Sequence, residues 1–441
     1  MPPTKDVLLE FLGLEDIDAL FADIPPEVRV DNLDLPTGLS EAETVRKVSR
    51  ILERNRTVGE VTSYLGAGYY DNYVPALVDA LLSRSEFYTT YTPYQAELSQ
   101  GLLQALFEFQ SLVCELTGMD AANSSMYDAS TALGEAALMA RRITGRREIV
   151  IPTLIEGEKK AVLANYARGP GMRVREAGYD TEDGTLDLGH LEESIGDDTA
   201  AVYVEAPSFL GQLDSKVTEV QDALSGALLI VGVHPLAQAV LRPPGDYGAD
   251  IVIGEGQSLG GWMNFGGPSL GLFACRQEHI RKMPGRVIGL TKDRRGNRAF
   301  TMTLQTREQH IRKGKAMSNI CTNESLLAVG ATIYLAFQGA RGLRSLATNL
   351  MDRARELMGH LDGIPGFQAP LFPGSYFNEF PVAHKAPFAT LRERLARRGL
   401  NGGVDLSTVL PQAAPASLFA VTDRHTPDDF RELVRALEGG K

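Results

Sequence analysis

Three stretches of this 441-residue chain crowd together residue types able to hold a small molecule. In IVIGEGQSLGG, Ile251 to Gly261, the glycines Gly254, Gly256 and Gly260 follow a predicted strand at the spacing GxGxxxG. A dinucleotide fingerprint has one residue fewer and needs a helix N-terminus to receive the pyrophosphate. The continuation WMNFGGPSLG, with Gly266, Gly267 and Pro268, offers no such helix, so the glycines read as a tight turn and a place of close approach. In EFYTTYTPYQAELSQ, Glu86 to Gln100, Tyr88, Tyr91, Tyr94 and Gln95 gather around Pro93 ahead of a helix. Their hydroxyl and amide groups can line a pocket without covalent chemistry. A helix cap with aromatic packing accounts for the same residues, and composition favours that simpler account. In NSSMYDASTALGEAALMARR, Asn123 to Arg142, the residues Ser124, Ser125, Asp128, Ser130 and Thr131 precede an Ala-rich helix. Hydroxyls and free amides at a helix start make an anion site, while Asp128 and Ser130 are equally good N-caps. The residues by themselves do not separate cradle from cap.

Other chemistries find little support. Seven histidines include no HxxxH pair and none beside a Ser or Cys in a nucleophile elbow. His234, ending a strand before Pro235, is the one placed at a sheet's ligand-binding edge, and it reads as packed or capping. Cys114, Cys275 and Cys321 lie far apart without metal or disulfide spacing, so no metal site is expected. The net charge of -12 argues against nucleic acid as a partner. Charge is nevertheless uneven: from Arg276 to Lys315 twelve Lys or Arg face only Glu278, Asp293 and Glu308, a surplus of about nine positive charges. The segment MPPTKDVLLEFLGLEDIDALF carries acids through its apolar stretch and reads as an amphipathic helix, not a signal peptide. No run of eighteen apolar residues occurs, so no membrane partner is expected and the cytoplasm is the expected compartment.

The elements that must position these residues alternate. Near-continuous apolar runs at Glu148 to Leu154, Ala200 to Ser208, Ala227 to Pro235 and Ala249 to Gly256 read as buried strands, with Gly271 to Arg276 as an edge strand. Helical stretches such as GEKKAVLANYARGP and TEVQDALSGA fall between them, predicting a mostly parallel sheet covered on both faces. Ahead lie a helix from Ser40 to Asn55, with Ser40 and Glu43 spaced as a capping box, and another from about Tyr94 to Thr117 stopped by Gly118. Arg307 to Gln338 reads as one long helix or two abutting ones. Helices at Arg341 to Gly359, Pro387 to Arg398 and Thr426 to Leu437 then alternate with short strands in SYFNEFPV and SLFAVT. The expected organisation is α/β: an N-terminal helical arm over residues 1–60, a large domain over 61–330 and a small α+β domain over 331–441.

Long runs of the chain, among them YTPYQ, EHIRKMPGR, TLQTREQHIRK and SNICTN, together with FADIPPEVRV near the start, closely resemble the glycine dehydrogenase (decarboxylating) α subunit family. The resemblance covers nearly the whole chain. It implies the fold-type I architecture of pyridoxal-phosphate (PLP) enzymes, whose Schiff-base lysine follows the strand before the glycine-rich turn. Gln257 stands at that position, and an amide cannot condense with the cofactor's aldehyde. The nearest downstream lysine, Lys282, lies well past the turn.

The resemblance therefore implies that PLP sits covalently on a paralogous β subunit and that this chain carries no catalytic residue and is inactive alone. An α2β2 heterotetramer would decarboxylate glycine and pass the aminomethyl group to the lipoyl arm of the H-protein. It places Tyr91, Tyr94 and Gln95 near the partner's active site and makes Asp128, Ser130 and Thr131 a vestigial phosphate loop. The basic segment would dock the β subunit or the acidic lipoyl carrier. Three departures stand out: Ala129 where the family has Gly, Ser208 where Asn is expected, and Tyr69-Tyr70 where Ser-Tyr is usual. If Ala129 must adopt positive φ, its methyl costs about 1 kcal/mol. A self-sufficient PLP aminotransferase or lyase, and a non-catalytic scaffold for a complex acting on another amino acid, are the competing readings.

Overall fold

The structure, a computed structural model, describes residues 4–30, 32–304, 309–413 and 415–439. It divides into two units, Met1–Thr57 and Val58–Lys441. The first holds helices α1 (Lys5–Leu12) and α2 (Glu41–Leu52). Helix α2 starts on the expected capping box: Ser40 Oγ accepts from the Glu43 amide at 3.4 Å, and the Glu43 carboxylate accepts from the Ser40 amide at 2.9 Å. None of the unit's described residues is buried, and Phe11, Val45, Val48 and Ile51 lie open. This unit has no core of its own.

The second unit is organised by a seven-stranded sheet. Its strands are β1 (Ala121–Ala122), β2 (Glu148–Pro152), β3 (Arg173–Ala177), β4 (Thr199–Ala206), β5 (Leu228–Val233), β6 (Ile251–Glu255) and β7 (Gly271–Cys275), in the order β1-β7-β6-β5-β4-β2-β3. Pairing is parallel from β3 through β6 and antiparallel for β6 with β7 and β7 with β1. The strand at Gly271 is thus not an edge, as expected, but is covered by the two-residue β1, too short to read as a strand by pattern.

Alternation along the strands feeds two cores. Val150, Val202, Val204, Leu229 and Val231 pack against α3 (Gln100–Thr117) through Leu103, Leu106 and Phe109. Ile149, Ile151, Tyr203, Ile230 and Ile253 face α4 (Ala129–Thr144) and α5 (Gly157–Arg168) through Leu133, Ala136 and Leu163. Each fully buried Ile or Leu contributes about 1.5–3 kcal/mol, which is why these runs show no polar alternation.

Several boundaries differ from expectation. TEVQDALSGA forms only one α turn, at Val220–Ala223, just after a 3-10 turn at Ser215–Thr218. Tyr94 and Gln95 precede α3 in non-helical backbone. The expected helix start at Arg307 lies outside the described residues. The helical span α6 (Ser325–Asp362) is two abutting helices broken at Gly339, where φ is 60° and ψ is 173°, so the expected division between Gln338 and Arg341 is met. By length and composition α6 could cross a bilayer. Instead Ala328, Val329, Tyr334 and Leu335 join the core beside α3.

Farther along, strands β8 (Val287–Lys292) and β9 (Arg298–Thr303) form an antiparallel ribbon. A four-stranded sheet closes the chain: β10 (Phe367–Gln368), β11 (Glu379–His384), β12 (Val404–Asp405) and β13 (Ala416–Ala420), in the order β10-β11-β13-β12. Helix α7 (Pro427–Glu438), with its own Thr426 and Asp429 capping box, packs Phe430 and Leu433 beneath that sheet. Thr62–Ser63 pairs with Leu400–Asn401, so chain from the start of the unit is stitched to its C-terminal part.

Candidate functional site

A cleft opens beyond the carboxyl ends of β4, β5 and β6, the place where open α/β sheets bind ligands. Glu205 of β4, His234 just after β5 and Glu255 at the end of β6 point into it. Glu156 and Lys159 arrive from the start of α5, Ala67 and Tyr70 from the segment before α3, and Glu379 from β11. Gly211 allows the last of these approaches: its φ is 79°, and a Cβ there would sit 2.0 Å from the Glu379 carbonyl oxygen. The cavity volume is about 60 Å³, room for roughly four or five waters.

The cleft is closed by its own side chains. Lys159 Nζ lies 2.7 Å from Glu205 Oε1, which also accepts from the Tyr203 hydroxyl at 2.7 Å. Burial lowers the proton affinity of Lys159, but Glu205 and Glu156 beside it outweigh burial and hold its pKa above the usual lysine value. It is an ammonium, not a free amine, so it is no nucleophile for a carbonyl. Tyr70 donates its hydroxyl to Glu379 Oε1 at 2.6 Å, and the Ala67 amide donates to Oε2 at 2.9 Å. Burial raises Glu379, Glu255 and Glu156 each to about 7, in every case against opposing contacts: the Tyr70 hydroxyl for Glu379, the Ser269 hydroxyl and backbone amides for Glu255, the Lys159 ammonium for Glu156. His234 lies between the rings of Tyr70 and Phe377, with centroids at 5.1 and 5.0 Å. Burial drives its pKa down to about 3, leaving a neutral imidazole with both nitrogens unpartnered.

Gln257 does not line this cleft. It is buried, with Oε1 accepting from the Tyr70 amide at 3.0 Å and Nε2 donating to the Tyr70 carbonyl at 3.0 Å and the Gly261 carbonyl at 2.8 Å. The side chain therefore clamps the Tyr70 segment to the turn after β6.

The helix start expected as a phosphate loop is also occupied. Asp128 caps α4, its Oδ1 accepting from the Thr131 amide at 2.7 Å, while the Ala129 amide donates to Glu255 Oε2 at 3.2 Å. Ser130 is buried in the first turn. Of cradle and cap, the structure contains the cap, with two carboxylates where a phosphate would need donors. Ala129 needs no positive φ, since it is the first helical residue; the strained residue is Ser125, with φ at 115°. The expected cost at Ala129 does not arise. Ser208 lines the cleft with its hydroxyl unpartnered.

Tyr91, Tyr94 and Gln95 are elsewhere, exposed on the outer surface, with the Arg286 guanidinium 5.7 Å from the Tyr94 ring centroid. Arg294 and Arg295 are exposed at the tip of the β8–β9 ribbon and Arg298 beside it. Of the basic segment, Arg307 and Glu308 lie outside the described residues. No group of three His, Cys, Asp or Glu among the described residues is arranged to hold a metal. Lys159, Glu205 and Glu379 were invisible to spacing arguments, for they are far apart in sequence; the one signal was a charged residue inside the apolar run Ala200 to Ser208.

Sheet, cleft position and C-terminal sheet together define the fold-type I class of PLP enzymes. A sphingosine-1-phosphate lyase from Burkholderia pseudomallei shares the fold, with a TM-score of 0.64 over 94% of this chain and 93% of its own at 13% identity. The chain belongs to the glycine cleavage system P-protein family, whose model matches residues 3–437. Among its relatives, a probable glycine dehydrogenase (decarboxylating) subunit 1 from Carboxydothermus hydrogenoformans is 46% identical over 100% of this chain and 99% of its own. The protein so named from Thermococcus kodakarensis is 45% identical over 98% and 96%. A crystal structure of glycine decarboxylase (P-protein) of the glycine cleavage system, in inhibitor-bound form, matches with a TM-score of 0.91 and 38% identity over 100% of this chain and 99% of its own.

The cofactor of this fold class does not fit the cleft. The space admits a few waters, the helix start presents carboxylates to a phosphate, and the lysine present is held by Glu205.

Proposed function

We propose that this chain is the α subunit, subunit 1, of a two-subunit glycine dehydrogenase (decarboxylating), working only with a β subunit that carries PLP covalently. The observation that carries this reading is a site with no free lysine or phosphate donor: Gln257, outside the cleft, clamps Tyr70, Lys159 is paired with Glu205, and the Ala129 amide at the helix start already donates to Glu255. On the partner, PLP supplies the electron sink for loss of the glycine carboxyl group. This chain supplies surface and shape. Tyr91, Tyr94 and Gln95, exposed and rich in hydroxyl and amide groups, line the partner's active site from across the interface. The aminomethyl group passes to the lipoyl arm of the H-protein, and the basic ribbon around Arg294, Arg295 and Arg298 attracts the acidic carrier or the β subunit.

The open apolar residues of the N-terminal unit support a larger assembly, which we take to be α2β2, in the cytoplasm. Within the second unit we draw the division between large and small domains near residue 330. The test is glycine-bicarbonate exchange. The expected result is no exchange by this chain alone and exchange when it is combined with the β subunit. A stable complex without exchange supports a scaffold for another amino acid instead.

A further inference from the structure

Three sequence motifs that lie far apart in the chain converge on one buried side chain. Arg286, which ends EHIRKMPGR, is 5% exposed. Its Nη1 donates to Thr92 Oγ1 of YTPYQ at 3.2 Å and to Asn323 Oδ1 of SNICTN at 3.0 Å, and its Nη2 donates to the Cys321 carbonyl at 2.8 Å. The guanidinium also faces the Tyr94 ring. Beneath it the Arg286 carbonyl accepts from the Ser124 amide at 2.8 Å, and Asn323 Nδ2 donates to the Ser124 carbonyl at 2.8 Å.

Two features set this hub apart from ordinary packing. All the hydrogen-bond acceptors around the guanidinium are neutral, its Nε is buried without a partner, and no carboxylate among the described residues forms an ion pair with it. A buried cation is costly unless an anion compensates it. The adjoining Ser125, fully buried, is held at a φ of 115° by bonds from its amide to Asn123 and from the Glu324 amide to its hydroxyl. Such strain persists where the surroundings over-determine one geometry, and it gathers at functional sites.

We propose that Arg286 is a positioning residue of the shared active site. It fixes the Tyr91 to Gln95 segment and the Cys321 to Asn323 turn in one arrangement, and its charge, paired with no carboxylate among the described residues, makes that surface receptive to an oxyanion, a carboxylate or a phosphate, at the partner's centre. The inference rests on the functional reading above. Arginine suits the task because its planar fork spans two segments, which an ammonium cannot do.

The experiment uses the complex with the β subunit, comparing Arg286→Met and Arg286→Lys with wild type. Assembly is followed by sedimentation, and kcat, glycine KM and inhibition by acetate and by inorganic phosphate are read from the exchange reaction. Arg286→Met is expected to assemble, to lose kcat and to weaken inhibition by one anion about tenfold or more. Acetate is the affected anion if the group is a carboxylate, phosphate if it is a phosphate. Arg286→Lys is expected to recover that inhibition to within about threefold while kcat stays low. An assembled Arg286→Met complex with both inhibition constants at wild-type values overturns the proposal. If Arg286→Met does not assemble, Arg286→Lys decides: lowered kcat with anion inhibition retained supports the proposal, and wild-type kcat overturns it. A wild-type complex without exchange brings down the functional reading and this inference with it; an active wild type with an indifferent Arg286→Met brings down the inference alone.

Discussion

Replacing Gln257 with alanine removes the clamp between the Tyr70 segment and the turn after β6. Three hydrogen bonds are lost, at 3.0, 3.0 and 2.8 Å, to the Tyr70 amide, the Tyr70 carbonyl and the Gly261 carbonyl. Each such bond contributes about 0.5–1.5 kcal/mol net, and a buried group left without a partner costs about 1–3 kcal/mol. Gln257 is 3% exposed, so water replaces the amide only in part. The expected loss is about 2–4 kcal/mol overall. For the Tyr70 amide itself, a loss of about 1.5–3 kcal/mol in local opening corresponds to exchange about 10- to 150-fold faster. Hydrogen exchange read by mass spectrometry on peptides spanning Tyr70 checks this directly. Gln257→Glu keeps an acceptor for the Tyr70 amide but no donors, so its exchange should fall between wild type and Gln257→Ala. Exchange at Tyr70 within about twofold of wild type in Gln257→Ala would refute the clamp, because a satisfied buried amide cannot lose its acceptor at no cost.

Glu156 carries a folded pKa of about 7, above its unfolded value near 4.5, so its contribution to stability is full below about pH 4.5 and is lost as pH rises through 7. Glu156→Gln should therefore match wild type near pH 4 and exceed it near pH 8 by up to about 3 kcal/mol, read from urea unfolding at the two pH values. Charge reversal at Arg294, Arg295 and Arg298, all exposed, should slow H-protein-dependent turnover or weaken β-subunit association, most strongly at low salt. Unchanged assembly and turnover at low salt would contradict the docking role. Val48→Asp, on the open face of α2, should leave the isolated chain's far-ultraviolet spectrum unchanged and weaken the complex about tenfold or more in sedimentation; an unaffected complex would show that this face is not an interface.

Periodicity revealed what local physics controls. The parallel strands were legible because β4, β5 and β6 are buried on both faces and admit little but β-branched and aliphatic residues. The Ser40 and Glu43 capping box was legible because it needs only three residues of spacing. The helix expected through Gln338 is interrupted between Lys315 and Ser325 because that stretch is held by side chains from elsewhere, Arg286 on Cys321 and Asn323, which no window along the chain contains. The cleft shows the same limit. Gln257 could be read as not a lysine, but its clamp depends on Tyr70, 187 positions away. Lys159 lay unremarked within the helical stretch GEKKAVLANYARGP, since Glu205 becomes its partner only when β4 folds beside α5.

The most direct test of the account is to reconstitute the complex with PLP, reduce it with borohydride and map the labelled lysine by peptide mass spectrometry. The label is expected on a lysine of the β subunit alone. A label on Lys159 or Lys282 of this chain would contradict it.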